Sequence, residues 1–127
     1  MEIKKILVVD DELMIRHLFQ RMFSREYQVS VAESGKEAIE MLKKETFDVV
    51  FIDVVMPGMD GVETLNALKD IKPDIVAIMM TGFAVENKIQ TAMKLGAFDY
   101  IYKPFEESEI QAIFKKLEKR EHLKKTD

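Results

Sequence analysis

The sequence predicts an α/β fold in which parallel strands are covered by helices on both faces. Three observations carry this. Short Val- and Ile-rich runs alternate with helix-period segments five times along the chain. Three of the runs are apolar throughout instead of alternating, as expected for strands buried on both sides. Turn residues fall between the segments: Ser34-Gly35, Pro57-Gly58, Asp60-Gly61 and Pro73, with Gly96 where a helix should stop.

The strands are read at Ile6-Leu7-Val8-Val9, Val29-Ser30-Val31, Val49-Val50-Phe51-Ile52, Ile75-Val76-Ala77-Ile78-Met79-Met80 and Tyr100-Ile101-Tyr102. The first, third and fourth are the apolar ones. Between them, Ile15, Leu18, Phe19 and Met22 line a first helix at the i, i+3, i+4, i+7 spacing, and Ala38, Ile39, Met41 and Leu42 a second. Val62, Leu65 and Leu68 mark a third helix, Val85, Ile89 and Ala92 a fourth, and Ile110, Ile113, Phe114 and Leu117 a fifth. No low-complexity stretch or linker interrupts the pattern, so residues 1–127 read as one domain, with a core at about 4–120 and a tail at 121–127. The segment from Lys115 to Lys125 is rich in Lys and Arg and reads as a solvated helix face.

Composition removes several classes of function. The chain has 127 residues, 47% of them hydrophobic and 33% charged, a globular balance at the size of one domain. Cysteine is absent, which excludes disulfides, thiolate metal sites and a Cys nucleophile. The longest apolar run, Ile75 to Met80, is far too short to span a membrane, and the first residues lack the pattern of a secretory signal, so a cytoplasmic protein is expected. The net charge of −4 lacks the basic character of a nucleic-acid binder.

In open parallel sheets the functional crevice lies outside the carboxyl ends of the strands. There the sequence places its chemistry. Asp10, Asp11 and Glu12 follow the first strand, Asp53 ends the third, Thr81-Gly82 follows the fourth, and Lys103-Pro104 follows the fifth. Carboxylates brought this close repel unless a cation neutralises them. A donor set of oxygens without His or Cys selects a hard ion, most simply Mg²⁺. A lysine and a hydroxyl beside a metal-held carboxylate can stabilise a transferring phosphoryl group, and a carboxylate can itself be the nucleophile, giving an aspartyl phosphate. Taken singly, Asp10, Asp11 and Thr81 read as helix caps, Asp53 as turn chemistry and Lys103 as a solvated charge. Their joint occurrence at four strand ends is what those readings leave unexplained.

With these motifs in place the chain resembles the receiver domain of bacterial two-component response regulators, and in particular the stand-alone receivers of sporulation-type phosphorelays. The resemblance covers about residues 4–120. It rests on Ile6-Leu7-Val8-Val9-Asp10-Asp11-Glu12, on Asp53 with Met56-Pro57-Gly58-Met59-Asp60-Gly61, on Met80-Thr81-Gly82, and on Gly96-Ala97 with Lys103-Pro104-Phe105. It implies a doubly wound, flavodoxin-like sheet in the order 2-1-3-4-5 and a cis peptide at Lys103-Pro104. It implies that Asp53 accepts the phosphoryl group from a phosphorylated histidine on a sensor kinase or phosphotransfer protein. Mg²⁺ is then expected on Asp11, Asp53 and the backbone carbonyl of Val55, with Asp10 acting through a water. Lys103 and the Thr81 hydroxyl are expected on the phosphoryl oxygens, and Tyr100 matches the aromatic switch position that responds to Thr81.

Further expectations concern rate and partners. The resemblance also implies that Val55 and Phe83 occupy the positions that tune attack of water on the acyl phosphate; both are apolar, which points to slow self-dephosphorylation. Leu13 and Met14 are surplus to the core stripe of their helix and suit contact with a histidine-bearing helix bundle. His17 and His122 read as solvated surface, not as phosphoryl donors. A downstream protein target is expected on the face made by residues 85–94, 99–103 and 107–117, and the chain as a monomer or weak dimer. The competing enzyme reading is a small Mg²⁺-dependent phosphohydrolase with an Asp nucleophile. It expects Asp-x-Asp after the first strand, where Asp10-Asp11-Glu12 stands. A flavodoxin-like cofactor binder would need a Gly- and hydroxyl-rich loop there, and a partner-binding pseudo-receiver would have lost one of the key residues.

Overall fold

Five strands, each followed by a helix, build the molecule, and the apolar runs of the sequence are its interior. The computed structural model describes residues 2–82 and 85–126, with side chains through Arg120. In chain order the elements are β1 (Lys5–Val9), α1 (Leu13–Phe23), β2 (Gln28–Ala32), α2 (Gly35–Lys44), β3 (Val49–Asp53), α3 (Gly61–Ile71), β4 (Ala77–Thr81), α4 (Glu86–Lys94), β5 (Asp99–Tyr102) and α5 (Glu107–Thr126). All pairings are parallel, in the order β2-β1-β3-β4-β5. The predicted doubly wound sheet is therefore observed.

Pleating divides the strand residues between two cores. Leu7, Val9, Val50, Ile52, Ala77 and Met79 pack beneath Leu42 of α2, Leu65 and Leu68 of α3 and Ile89 and Ala92 of α4. Ile6, Val8, Val49, Phe51, Ile78 and Met80 pack on the other face beneath Phe19 and Phe23 of α1 and Ile110, Phe114 and Leu117 of α5. The central strands β3 and β4 are buried along their whole length, as their unbroken apolar runs require.

Two predicted boundaries and one predicted stripe differ. β4 begins at Ala77, not at Ile75, because Lys72-Pro73 closes a turn in which the Ile75 amide donates to the Lys72 carbonyl at 3.0 Å. Both Ile75 and Val76 are buried all the same. α4 begins at Glu86, with Val85 as its cap. In α1 the fully enclosed apolar residues are Phe19 and Phe23, while Ile15, Leu18 and Met22 pack at the edge of the core. Arg16 shares the inner face with Phe19 and is itself buried.

Local chemistry fixes the helix that abuts the crevice. Asp60 and Glu63 form a reciprocal capping box at the start of α3, each side chain accepting from the other's backbone amide. Gly61 sits so close to the β3 end that a Cβ there would run into the Asp53 carbonyl and the Val54 Cα. Only glycine lets α3 start this near the last residue of β3. At the far end of α4, Gly96 takes φ of 102°, the left-handed stop its position suggested.

Candidate functional site

The chain leaves β1 toward β2 on one side, through α1, and continues toward β3 on the other. The carboxyl ends of β1 and β3 therefore flank the point where the winding reverses, which in such sheets is where the crevice opens. An open cleft of about 700 Å³ lies there, lined by Asp11, Glu12, Asp53, Val55, Met56, Pro57, Gly82, Lys103 and Pro104.

Each functional side chain is held by the element it ends. Asp10 follows β1, and its amide donates to the Ala32 carbonyl of β2 at 3.1 Å. Asp53 is the last residue of β3, buried, with Oδ1 accepting from the Val55 amide at 3.3 Å. Thr81 ends β4 and is fully enclosed. Its carbonyl accepts from the Lys103 amide at 2.8 Å, which ties the lysine to β4. The peptide between Lys103 and Pro104 is cis, as expected. Phe105 then anchors this corner, its ring 5.4 Å from that of Phe19 in the α1–α5 core.

The side chains converge. Asp10, Asp11 and Asp53 each offer a carboxylate oxygen, and these oxygens all lie within 4.8 Å of one another. The Lys103 ammonium reaches Asp10 Oδ2 at 2.7 Å, Glu12 Oε1 at 2.9 Å and Asp53 Oδ2 at 3.4 Å. Asp10 Oδ1 accepts from the Glu12 amide at 2.9 Å. Its Oδ2 is fully enclosed and, beyond the nearby ammonium, receives no directed hydrogen bond from the described residues. An enclosed carboxylate oxygen short of partners, in an all-oxygen cluster that also has a solvent-facing member in Asp11, fits a hard divalent cation.

The electrostatics reflect crowding. Burial, and secondarily the charge of Asp10, push the Asp53 carboxyl up to about 7 in the metal-free protein, against the pull of Lys103 and the Val55 amide. Burial works against the charged form of Lys103, but hydrogen bonds to Asp10 and Glu12 and the charges of Asp10 and Asp53 outweigh it. The lysine is held above its ordinary range and stays protonated.

The other predicted positions are placed differently from one another. Leu13 and Met14 are 55% and 81% exposed at the start of α1, with no core role. Tyr100 faces solvent on β5, its ring edge-on to Tyr102 at 5.7 Å. Val55 lines the cleft and is partly exposed. Phe83 lies outside the described residues, as does the side chain of His122; His17 is exposed.

Two contacts escaped the sequence reading. The Arg16 guanidinium donates to the Asp10 carbonyl at 2.8 Å and lies 3.8 Å from the Glu33 carboxylate, bracing the turn that carries the acids. A signal for it existed: position 16 falls three residues before Phe19 and seven before Phe23, on the buried face. The grip of Glu12 on Lys103, across 91 residues, left no local trace.

Sheet order and crevice place the chain among the flavodoxin-like α/β proteins, whose ligands meet the sheet at its switch point. Comparison with known proteins narrows this class. The model of the response regulator receiver domain matches residues 6–115, and the chain belongs to that family. It is 40% identical over 114 residues to sporulation initiation phosphotransferase F of Bacillus subtilis, covering 89% of this chain and 92% of that protein. It is 37% identical over 108 residues to the chemotaxis protein CheY of Halobacterium salinarum, covering 84% and 90%. The crystal structure of a CheY-like receiver domain protein from Methanospirillum hungatei superposes with a TM-score of 0.87 at 28% identity, covering 95% of this chain and 98% of that one. The chain is thus a two-component response regulator receiver, a phosphoacceptor and not a conventional enzyme, of the kind that works with histidine kinases or phosphotransfer proteins. Nothing favours the phosphohydrolase reading.

Proposed function

We propose that Asp53 is the residue that accepts the phosphoryl group, from a phosphohistidine on a kinase or phosphotransfer protein, in a Mg²⁺-dependent reaction. The observation that carries this is the meeting of the buried Asp53 carboxylate with Asp10, Asp11 and Lys103 in one open cleft at the switch point. Asp11, Asp53 and the Val55 carbonyl would hold the ion directly, and Asp10 through a water. When bound, the ion offsets the negative charge of the carboxylates and of the incoming phosphoryl group.

The chain's own residues account for the rest. An Asp53 carboxylate oxygen attacks phosphorus as the P–N bond breaks, and that electron pair leaves with the imidazole of the donor. Lys103 donates to one phosphoryl oxygen and the Thr81 hydroxyl to a second, so charge developing on the transferring group meets fixed donors. Movement of Thr81 toward the phosphoryl group frees space behind β4 that Tyr100, now facing solvent, can enter. The result is a population shift in the face made by residues 85–94, 99–103 and 107–117, where a downstream protein would read it. Exposed Leu13 and Met14 suit the helix-bearing donor.

Val55 and Phe83 carry no group able to orient a water, which favours slow self-dephosphorylation. Similarity to a relative named a phosphotransferase favours onward relay of the phosphoryl group over hydrolysis. No described helix is long and apolar enough to cross a membrane, and a cytoplasmic, single-domain monomer or weak dimer belongs to the same proposal.

The test is incubation with acetyl phosphate and Mg²⁺ followed by intact mass. One phosphoryl group should add to the wild type, with none added to Asp53→Ala or in the presence of EDTA. Equal labelling of Asp53→Ala would overturn the assignment.

A further inference from the structure

We propose that Glu12 is a displaceable counter-ion that parks Lys103 in the resting protein and gives up its place to the phosphoryl group; this rests on the function proposed above. The Lys103 nitrogen lies among three carboxylates, Asp10 at 2.7 Å, Glu12 at 2.9 Å and Asp53 at 3.4 Å, and among the described residues only Glu12 takes a directed hydrogen bond from it. A phosphoryl oxygen that takes the directed bond of this ammonium must displace Glu12 from it.

The three acids differ in what release entails. Asp10 is fully enclosed and Asp53 nearly so, and a carboxylate stripped of its cation there is poorly hydrated. The Glu12 side chain is 58% exposed, so it can swing into solvent and be hydrated at once. Among the described residues nothing else claims it. Glu12 is the N-cap residue of α1, yet its side chain makes no capping bond to the helix amides. Its carboxylate is spent on a lysine 91 residues away. Glu12 also lines the cleft, so while it holds Lys103 it presents negative charge to any anionic donor approaching Asp53. The residue therefore sets a threshold: weak anionic ligands must displace it, and a covalently attached phosphoryl group does so by proximity.

The probe is beryllofluoride, a stable mimic of an attached phosphoryl group, titrated with Mg²⁺ and followed by fluorine NMR on the wild type, Glu12→Gln and Glu12→Asp. Removing a partly exposed ion pair should tighten binding by roughly two- to fivefold in Glu12→Gln. Glu12→Asp keeps the charge but is one methylene shorter and loses Lys103, so it should behave like Glu12→Gln. In the metal-free protein, the Lys103 ammonium protons should exchange with water faster in both variants than in the wild type.

Beryllofluoride affinity unchanged or weakened in Glu12→Gln overturns the proposal, and so does a Glu12→Asp protein indistinguishable from wild type, which would make the effect one of general charge. Those failures differ from failure of the receiver function itself, in which the wild type would bind no beryllofluoride at all.

Discussion

Replacing Asp53 by Asn should stabilise the metal-free protein, and pH should decide by how much. The Asp53 carboxyl is raised from 3.8 to about 7, chiefly by burial and then by the charge of Asp10. The folded state thus binds this proton more tightly than the unfolded chain. The stability it contributes is fully present below the unfolded value near 3.8 and is lost as pH rises toward about 7. A rise of that size, discounted for the side of Asp53 that meets the open cleft, makes ionisation cost on the order of 2–4 kcal/mol. Asn has the same shape, can still accept from the Val55 amide, and never ionises. Urea unfolding in EDTA should therefore show Asp53→Asn more stable than wild type by roughly 2–4 kcal/mol at pH 8, and by less than half of that at pH 5. With Mg²⁺ the order narrows, because the ion binds only the folded wild type strongly and stabilises it by mass action. A variant less stable than wild type at pH 8, or a gain independent of pH, would refute the reasoning.

Other perturbations probe the same construction. Mg²⁺ affinity of the wild type should fall as pH is lowered through about 7, since the ion competes with the proton on Asp53; isothermal titration across that range checks it. Arg16→Met removes the donor to the Asp10 carbonyl and should cost about 1–3 kcal/mol in urea unfolding, together with a several-fold loss of Mg²⁺ affinity as the acid-bearing turn loosens. Gly61→Ala drives a methyl group into the Asp53 carbonyl and Val54 Cα, and should destabilise by roughly 3 kcal/mol or more. Phe83→Glu supplies a group that can orient water, and should shorten the lifetime of phosphorylated protein measured by intact mass at neutral pH.

The sequence made the architecture and the central residues legible for one reason: this fold concentrates its chemistry at strand ends. The apolar runs of β3 and β4 are buried on both faces, and the polar residues that break them, Asp53 and Thr81, mark where the sheet stops. Asp10, Asp11 and Lys103 follow the same rule, so a linear pattern translates into a cluster once strand order is known. Boundaries were less legible. Ile75 and Val76 are as apolar as the strand that follows, and only the turn at Lys72-Pro73 excludes them from it. In α1 the periodicity through Met22 was right in kind but missed Phe23, whose ring meets Phe114 of α5 at 5.6 Å, a contact set by how two helices lie on the sheet. Arg16 lay on the buried face in plain view; its charge argued against burial until the Asp10 carbonyl and Glu33 supplied partners. The Glu12–Lys103 pair depends on the register of β1 and β5 across the sheet, information that no window of sequence contains.

Trapping the acyl phosphate where it forms tests the central claim most directly. Protein treated with acetyl phosphate and Mg²⁺ is reduced with borohydride, which converts an aspartyl phosphate to homoserine, and then mapped by peptide mass. Homoserine at position 53, absent when EDTA is present, is the predicted result. Reduction at Asp10, Asp11 or Glu12 instead, or labelling of Asp53 that ignores the metal, would contradict the account.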